Sequence, residues 1–560
     1  MLAALFIGCV LVLGYRLYQI QVVEHARFIA LATDEHRRVI PIVPKRGALL
    51  DSGGHPLAMS VLYDSVYAVG VQVKDVPDAA AKLSPILEMS PEEIQAQIDP
   101  ASQHPVLLKT KLPAAVAAQV LDLALNGVYL EQTPSREYPE GSIAAQLLGF
   151  VGRDFHGLAG LEASLDDLLA GQQGAIESEW DTTGREISLA RRVVSEATEG
   201  DDVVLTIDRY VQRQAERILA EAVAENKASG GVIIIMEPSS GAIVAMASMP
   251  TYSLTDPEIF KPENEPLYKP TWATDQYEPG SVMKVVTMAS GLDAGVVTPN
   301  TVVDDPGFVE VGGAVLTNWN GGGNGAIDMT HVLIYSSNVG AQYVSGKLGT
   351  ERFYEYLYAF GFGQVTDVGL PGETPGLVRD GDSEGWARVD LATNSYGQGV
   401  AVTPIQMLTA IAAIGNDGML MRPMLIKETR RGDHVEVIPP QEVRQVITPE
   451  TARTVRAMMV EVFDQPALDH SHIPGYAIAA KTGTADFATT AGYTTGQTYA
   501  SIVSLIPADQ PKLAVLIRID SPEKIYGGIV AGPVLKKLAM ELLPYYRIPP
   551  TRPLPDENEE

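Results

Sequence analysis

The chain has 560 residues, too many for one hydrophobic core, so two or more domains are expected. Hydrophobic residues make up 46% and charged ones 20%, the balance of globular domains rather than of disordered or fibrous chains. The formal net charge of −28 argues against a nucleic-acid partner, because phosphate binding needs a basic face.

The first element is apolar from Leu2 to Leu13 and continues through Tyr15, Arg16 and Tyr18 to Val22. Read as one helix from Leu2 to Val22 it is about 31 Å long, just enough to cross a bilayer. Tyr15, Arg16 and Tyr18 then fall at the interface, with Arg16 snorkelling. A cleaved signal peptide fits poorly, since there is no basic start and no clear small-x-small site. A lipoprotein reading on Gly8-Cys9 lacks the same basic start. Cys9 is the one cysteine, so no intramolecular disulfide can form, and large cores do not need one. Charge counting opposes an outward C-terminal side: no Lys or Arg precedes the helix, while Arg16, Arg27, Arg37 and Arg38 follow it. Orientation is therefore left to the catalytic motifs further along.

A polar amphipathic stretch runs to about Arg38. From Pro44 to Ala58 the sequence predicts a short strand, a Ser52-Gly53-Gly54 turn and a second strand. Residues 75–130 alternate helical patterns with proline breaks. Ser90 reads as an N-cap, with Pro91 at the first helical position and Glu93 at the third. Arg136 to Gly141 and Leu147 to Gly152 follow, and Gly157 to Glu162 leads into an amphipathic helix ending near Gly171. Nothing in this half pairs a nucleophile with a base. A boundary falls near Glu199-Gly200-Asp201-Asp202. Beyond it come a strand at Val203–Ile207, a helix over residues 210–226, and a hairpin of Gly231–Met236 with Ala242–Met246. Three late strands are expected: Ala477 to Ala485, Ser501 to Ile506, and Lys512 to Ile519. A final helix runs from about Gly532 to Leu543, and the tail from Pro549 reads as disordered. Strands at both ends with helices between predict an α+β domain.

Three short stretches in this half form one set: Ser281-Val282-Met283-Lys284, Ser336-Ser337-Asn338 and Lys481-Thr482-Gly483-Thr484. A lone S-x-x-K arises by chance roughly twice in a chain this long. Indeed Ser521-Pro522-Glu523-Lys524 is a second one, in a context that reads as a loop. By contrast the S-x-N and the K-T-G each occur once, in the order found in serine enzymes that attack D-Ala-D-Ala termini or β-lactams. Pro279-Gly280 breaks the chain before Ser281 and an apolar run follows, which puts Ser281 at a helix start and Lys284 one turn on, on the same face. Apart from the other two motifs, the plainer reading would be an N-cap and a solvated lysine. A serine hydroxyl needs a base. Lys284 can serve if burial and a second cation, Lys481, hold it neutral. Ser336 offers a hydroxyl for proton relay, and Asn338 an amide for a substrate carbonyl. Lys481, Thr482 and Thr484 can bind a terminal carboxylate, and Gly483 leaves room for substrate to lie along the strand edge. The backbone N–H groups of Ser281 and Thr484 can form an oxyanion hole. Gly321 to Gly325 and Gly346-Lys347 fail as phosphate loops, because no Lys-Ser/Thr follows at the needed place. His470 and His472 lack a third metal ligand nearby and read as a loop pair.

At these residues the chain resembles a class B penicillin-binding protein. Arg46-Gly47, Asp51 and Leu57-Ala58 are similar to that family's entry to its pedestal. Arg136 to Gly141, Gly160 to Glu162, Leu205 to Asp208, Tyr277 to Gly280, Ser395 to Gly399, Thr403-Pro404 and Asn416 to Gly418 match as well. The short span before the pedestal, Ser336 to Gly340, Gly361-Phe362-Gly363 and Leu370 to Glu373 look more like the division branch than the elongation branch. Two departures stand out: Ser52 where the family usually has Arg, and Pro250 to Ser253 in place of its aromatic-Asp-Pro-Asn run.

The resemblance implies an α+β architecture of four parts: a transmembrane anchor at 1–22, an elongated non-catalytic pedestal at 23–199, a transpeptidase domain at 200–546 and a disordered tail at 547–560. The transpeptidase domain would hold an antiparallel sheet flanked by helices and an all-helical subdomain. The implied reaction is cross-linking of peptidoglycan stem peptides through a Ser281 acyl-enzyme, with no metal or organic cofactor. Implied partners are D-Ala-D-Ala stem peptides, β-lactam antibiotics, a polytopic membrane glycan polymerase and other divisome proteins. The implied location is the cytoplasmic membrane, single-pass, with the catalytic domain outside. Elongation-type transpeptidation, D,D-carboxypeptidase or β-lactamase activity, and a non-catalytic scaffold or β-lactam sensor remain as alternatives.

Overall fold

The computed structural model describes residues 2–28, 37–152, 154–179, 192–489 and 492–553. The expectations for residues 29–36 and for the last residues of the tail lie outside these. The N-terminal helix forms over Leu2–Tyr18 and continues as a wider turn over Gln19–Val23. It is the one helix among the described residues long and apolar enough to cross a membrane, over Leu5–Val23. Its apolar side chains are exposed, Leu5, Phe6, Leu11 and Val12 among them.

The chain divides into two compact units. The first contains Met1–Gly47, Met59–Glu137 and Asp167–Asp201. Its main sheet is built on Met59–Val69, which pairs antiparallel with Pro105–Leu112 on one side and Val128–Glu137 on the other. Helices Val76–Leu87, Pro91–Gln97 and Ala114–Asp122 bury Leu83, Leu87, Ile94 and Val120 against Val66, Ala68 and Leu108. The helix at Pro91 starts as its sequence predicts. Ser90 Oγ accepts from Glu93 N, and the Glu93 carboxylate accepts from Ser90 N. A second sheet joins Arg37–Ile42, Gly174–Glu179 and Arg192–Ser195.

The second unit contains Ala48–Ala58, Tyr138–Asp166 and Asp202–Glu560. Two stretches that precede the sequence boundary at 199/200, Ala48–Ala58 and Tyr138–Asp166, thus group with the catalytic motifs. The reason is hydrogen bonding that residue order does not reveal. Leu49 and Leu50 form a parallel ladder with Val203 and Val204, and Glu140 pairs with Arg209 and Arg213. The amphipathic helix expected up to Gly171 is instead two single turns, Gly160–Ser164 and Asp166–Leu169.

The heart of this unit is a five-stranded antiparallel sheet. Its strands are β1 (Gly230–Met236), β2 (Ile243–Met249), β3 (Ala479–Thr489), β4 (Gly492–Ile506) and β5 (Leu513–Asp520), in the order β2-β1-β5-β4-β3. β1 from Val232 to Met236 and β5 from Leu513 to Ile517 read as hydrophobic runs because both faces are covered. On one face α1 (Arg209–Glu225) and α5 (Gly527–Tyr545) bury Ile218, Leu219, Leu535, Leu538 and Leu542 against Ile233, Ile235 and Ile517. α5 begins five residues before the Gly532 start read from sequence and carries Pro533 internally. On the other face lies the wholly buried α4 (Pro404–Gly415), and α2 (Met283–Asp293) and α3 (Asn338–Leu348) pack against each other. β3, which carries the K-T-G, is an edge strand. Its outer row of backbone groups is therefore open to an added strand.

Candidate active site

Ser281 stands in a single 3₁₀ turn, Gly280–Val282, that leads directly into α2. Pro279 stops any earlier helix, and Gly280 takes φ +57°, which reverses the chain sharply. Lys284, on the first turn of α2, is 1% exposed. Its Nζ donates to Ser281 Oγ at 3.1 Å and to Ser336 Oγ at 3.1 Å, and also to the Ser336 carbonyl. Lys481, equally buried at the start of β3, donates to Ser336 Oγ at 3.2 Å and to Thr482 O at 3.1 Å. Three motifs spread over about two hundred residues thus meet at one serine hydroxyl, Ser336 Oγ, shared by two lysines.

Burial drives the Lys284 amine well below its ordinary value; the neighbouring Lys481 cation adds to this, and Asp305 opposes it. Burial alone lowers Lys481 to about 8. The pair is therefore arranged so that Lys284 gives up its proton first. Once neutral, the amine can accept the Ser281 hydroxyl proton along the same 3.1 Å line.

The S-x-N segment is a strained turn between Met329–Ile334 and α3, with Ser336 at φ +54°. What holds it is a carboxylate that no sequence spacing announced. Asp305, fully buried, accepts from Ser337 Oγ at 2.7 Å, Asn318 Nδ2 at 2.9 Å, Asn324 Nδ2 at 2.6 Å and Gly307 N at 2.9 Å. Burial pushes its carboxyl up, but these donors outweigh burial and leave it below the usual carboxylate range. Ser337 also caps α3 by accepting from Gly340 N. Asn318 Oδ1 accepts from Asn338 N, and Asn338 Nδ2 donates to Thr317 O at 2.8 Å. The amide nitrogen of Asn338 carries a second hydrogen besides the one given to Thr317 O. The polar, glycine-rich run Asn318–Gly325 was the sole hint, and it reads more readily as a loop.

Along β3 the side chains alternate. Lys481 and Gly483 turn toward α2, while Thr484 Oγ1 accepts from Gly527 N at 3.1 Å on the opposite side. A Cβ on Gly483 would lie 2.5 Å from Ser501 Oγ and 2.8 Å from Val282 Cγ2. A Cβ on Gly280 would lie 2.8 Å from Thr484 O. The Ser281 turn and Thr484 are therefore packed backbone to backbone, the close approach that an oxyanion hole from their two N–H groups requires.

The second S-x-x-K, Ser521 to Lys524, lies in a bend after β5, where Glu523 pairs with Lys227 at 3.1 Å. His470 Nε2 meets Gly528 O, and His472 Nε2 meets Asp464 Oδ1 at 3.1 Å. Among the described residues no group of three or more His, Cys, Asp or Glu side chains is placed to hold a metal ion.

Comparison with known proteins gives two family matches. Residues 231–540 match the penicillin binding protein transpeptidase domain, and residues 41–205 the penicillin-binding protein dimerisation domain. The stage V sporulation protein D of Bacillus subtilis is 32% identical over 97% of this chain and 84% of its own length. The peptidoglycan D,D-transpeptidase FtsI of Escherichia coli is 30% identical over 95% of this chain and 89% of its own. Among solved structures, penicillin binding protein 3 of Mycobacterium tuberculosis, complexed with aztreonam, superposes with a TM-score of 0.72 at 27% identity, covering 92% of this chain and 99% of its own.

Proposed function

Because the chain belongs to the class B penicillin-binding proteins, the serine D,D-transpeptidases of peptidoglycan synthesis, we propose that Ser281 is the nucleophile that forms their acyl-enzyme in this molecule. Lys284 takes the Ser281 hydroxyl proton as Oγ bonds to the carbonyl carbon of the penultimate D-Ala. The N–H groups of Ser281 and Thr484 hold the oxyanion, each such donor being worth about 10²–10³ in rate. The C–N bond to the terminal D-Ala then breaks, and the proton returns through Lys284 and Ser336 to the departing amine. An amine of a second stem peptide attacks the ester, loses its proton to the same relay, and regenerates Ser281. Lys481, Thr482 and Thr484 bind the donor's terminal carboxylate, Gly483 lets the donor lie along β3, and Asn338 holds its peptide carbonyl. β-Lactams enter by the same route and stop at the ester.

One observation carries this reading: a buried amine lies 3.1 Å from the serine hydroxyl, with a second buried cation across the shared Ser336. Intact-protein mass after penicillin treatment tests it. One adduct is expected on the parent chain and none on Ser281→Ala; an adduct on Ser281→Ala removes the assignment. Steady-state release of hydrolysed penicillin would instead favour a β-lactamase or carboxypeptidase, in which water resolves the ester.

The apolar helix Leu5–Val23 serves as a single-pass anchor, with the second unit outside the cytoplasmic membrane where its substrate lies. The motifs Ser336 to Gly340 and Leu370 to Glu373 favour the division branch. Septal rather than sidewall signal from a fluorescent fusion is expected, and sidewall signal would assign elongation. The glycan strands come from a polytopic membrane polymerase that the anchor and the first unit contact, together with other division proteins. Surface substitutions within Met59–Glu137 are then expected to leave penicillin labelling intact and to lower lipid II polymerisation by the co-purified pair. Unchanged polymerisation across such a series would remove the coupling.

A further inference from the structure

Arg518 lies in β5, away from the three motifs in sequence, yet its guanidinium is 2% exposed and reaches the turn that presents Ser281. Nε and Nη2 donate to the two carboxylate oxygens of Asp520 at 2.7 and 2.9 Å. Its planar face lies 5.0 Å from the Tyr277 ring and 4.9 Å from the Tyr499 ring, and the two rings are 5.4 Å apart. Tyr499 in turn stacks on Phe487 of β3 at 4.0 Å. A continuous line of ring contacts therefore runs from Tyr277, four residues before Ser281, edge-on to Tyr499 and on to Phe487 of the strand that carries the K-T-G. The register agrees with this: Arg518 stands opposite Ser501, and Ser501 opposite Gly483.

The Ser281 turn is the element this group of side chains supports. Gly280–Val282 is one 3₁₀ turn, and no helix holds it from the N-terminal side. It is tied elsewhere by Gly280 N to Gly397 O at 3.1 Å, by Glu278 accepting from Gly399 N at 2.9 Å, and by paired bonds between Tyr277 and Val402. Those hydrogen bonds tie it to the segment from Gly397 to Val402. Against β3 the turn packs directly, Gly280 on Thr484 O and Val282 on Gly483, and the aromatic group backed by Arg518 is the side-chain contact beside that packing.

We infer that Arg518 is a positioning residue for the transpeptidase: its ion-paired guanidinium, packed against both Tyr277 and Tyr499 where the two rings meet, helps to seat the Ser281 turn against the K-T-G strand. The inference rests on the Ser281 acyl-enzyme reading. It applies to the bond-forming step and not to substrate binding, because Arg518 touches neither lysine nor the open strand edge. A lysine keeps the charge but loses the planar face and the two-pronged pairing with Asp520.

The test is acylation of the detergent-solubilised full chain by a fluorescent penicillin, followed over time at several concentrations. Arg518→Lys is expected to lower the saturating acylation rate by roughly 10- to 100-fold, the scale of a small displacement of reacting groups. The half-saturating concentration and the acid limb of the pH profile are expected to stay in place. Tyr277→Phe, which keeps the ring, is expected to acylate within about twofold of the parent. Should Arg518→Lys fail to fold, the paired change Arg518→Met with Asp520→Asn replaces the buried ion pair by groups of similar volume and reads the same rate. A parent-like rate in whichever variant folds overturns the inference, and so does a Tyr277→Phe loss as large as that of Arg518→Lys. The adduct's location separates the two readings. A parent chain labelled elsewhere than Ser281 refutes the acyl-enzyme assignment, whereas a Ser281 adduct formed at the parent rate by Arg518→Lys refutes only the positioning role.

Discussion

At the scale of single residues, the site depends on two buried lysines whose proton affinities differ. In the proposed mechanism Lys284 must be neutral to accept a proton, and its lowered pKa makes it so at lower pH than an exposed lysine. Acylation is expected to rise with pH as Lys284 deprotonates and to fall again near pH 8, where Lys481 loses the charge that binds a carboxylate. Rates of penicillin acylation across pH check both limbs. Lys284→Arg is expected to fall by about 10²–10⁴ at every pH, since guanidinium cannot give up its proton. Asp305→Asn offers a different readout. It places an amide against donors from Asn324 and Ser337, at a cost of about 1–3 kcal/mol in thermal or denaturant unfolding. It also removes the charge that holds the Lys284 pKa up, so the rising limb is expected to move to lower pH. A stability loss with an unmoved limb would show that Asp305 acts on structure alone.

At the scale of elements, function rests on where three backbones touch. β3 is an edge strand, Gly483 faces Val282 and Ser501 without room for a methyl group, and Gly397 lies against Gly280. Gly397→Ala would put a Cβ 2.3 Å from the Gly280 carbonyl oxygen, at φ +81°. Both effects push on the Ser281 turn. The expected result is a loss of about 1–3 kcal/mol in stability, as for other forced overpacking, together with loss of penicillin labelling. Labelling at the parent level would mean that the Ser395–Gly399 loop does not support the turn. By contrast Gly313, in a hairpin tip with nothing within 4 Å, takes only its positive-φ penalty on changing to Ala and is expected to keep full labelling.

At the scale of the whole molecule, the chain divides at Asp201/Asp202, inside the boundary its sequence suggests, but two earlier stretches cross that division. Ala48–Ala58 and Tyr138–Asp166 group with residues 202–560, so a truncation near residue 190 strips strand partners from the catalytic unit itself. Such a chain is expected to lose penicillin labelling through misfolding. A chain lacking only residues 1–28 removes the apolar helix and none of these partners. It is expected to leave the membrane fraction and to label at the parent rate; membrane sedimentation and labelling check each half.

Sequence alone determined the chemistry and most of the local structure. Each motif is a contiguous run whose spacing fixes its own geometry: Lys284 one helical turn after Ser281, alternation along Lys481–Thr484, the Ser90 cap, and the hydrophobic strands of the sheet. Tertiary structure alone decided what depends on contacts between distant residues. Asp305 is 32 residues from Ser337 and shares no period with it, and nothing in the order of residues shows that the two hydrogen-bond. The final helix reads from about Gly532 in the sequence, yet α5 starts at Gly527 and runs through Pro533, packed on the sheet. The shift of Lys284 likewise comes from burial and from a lysine 197 positions away, since 481 − 284 = 197. Local periodicity encodes elements and motifs; solvent exclusion and the meeting of remote side chains exist only once the chain is folded.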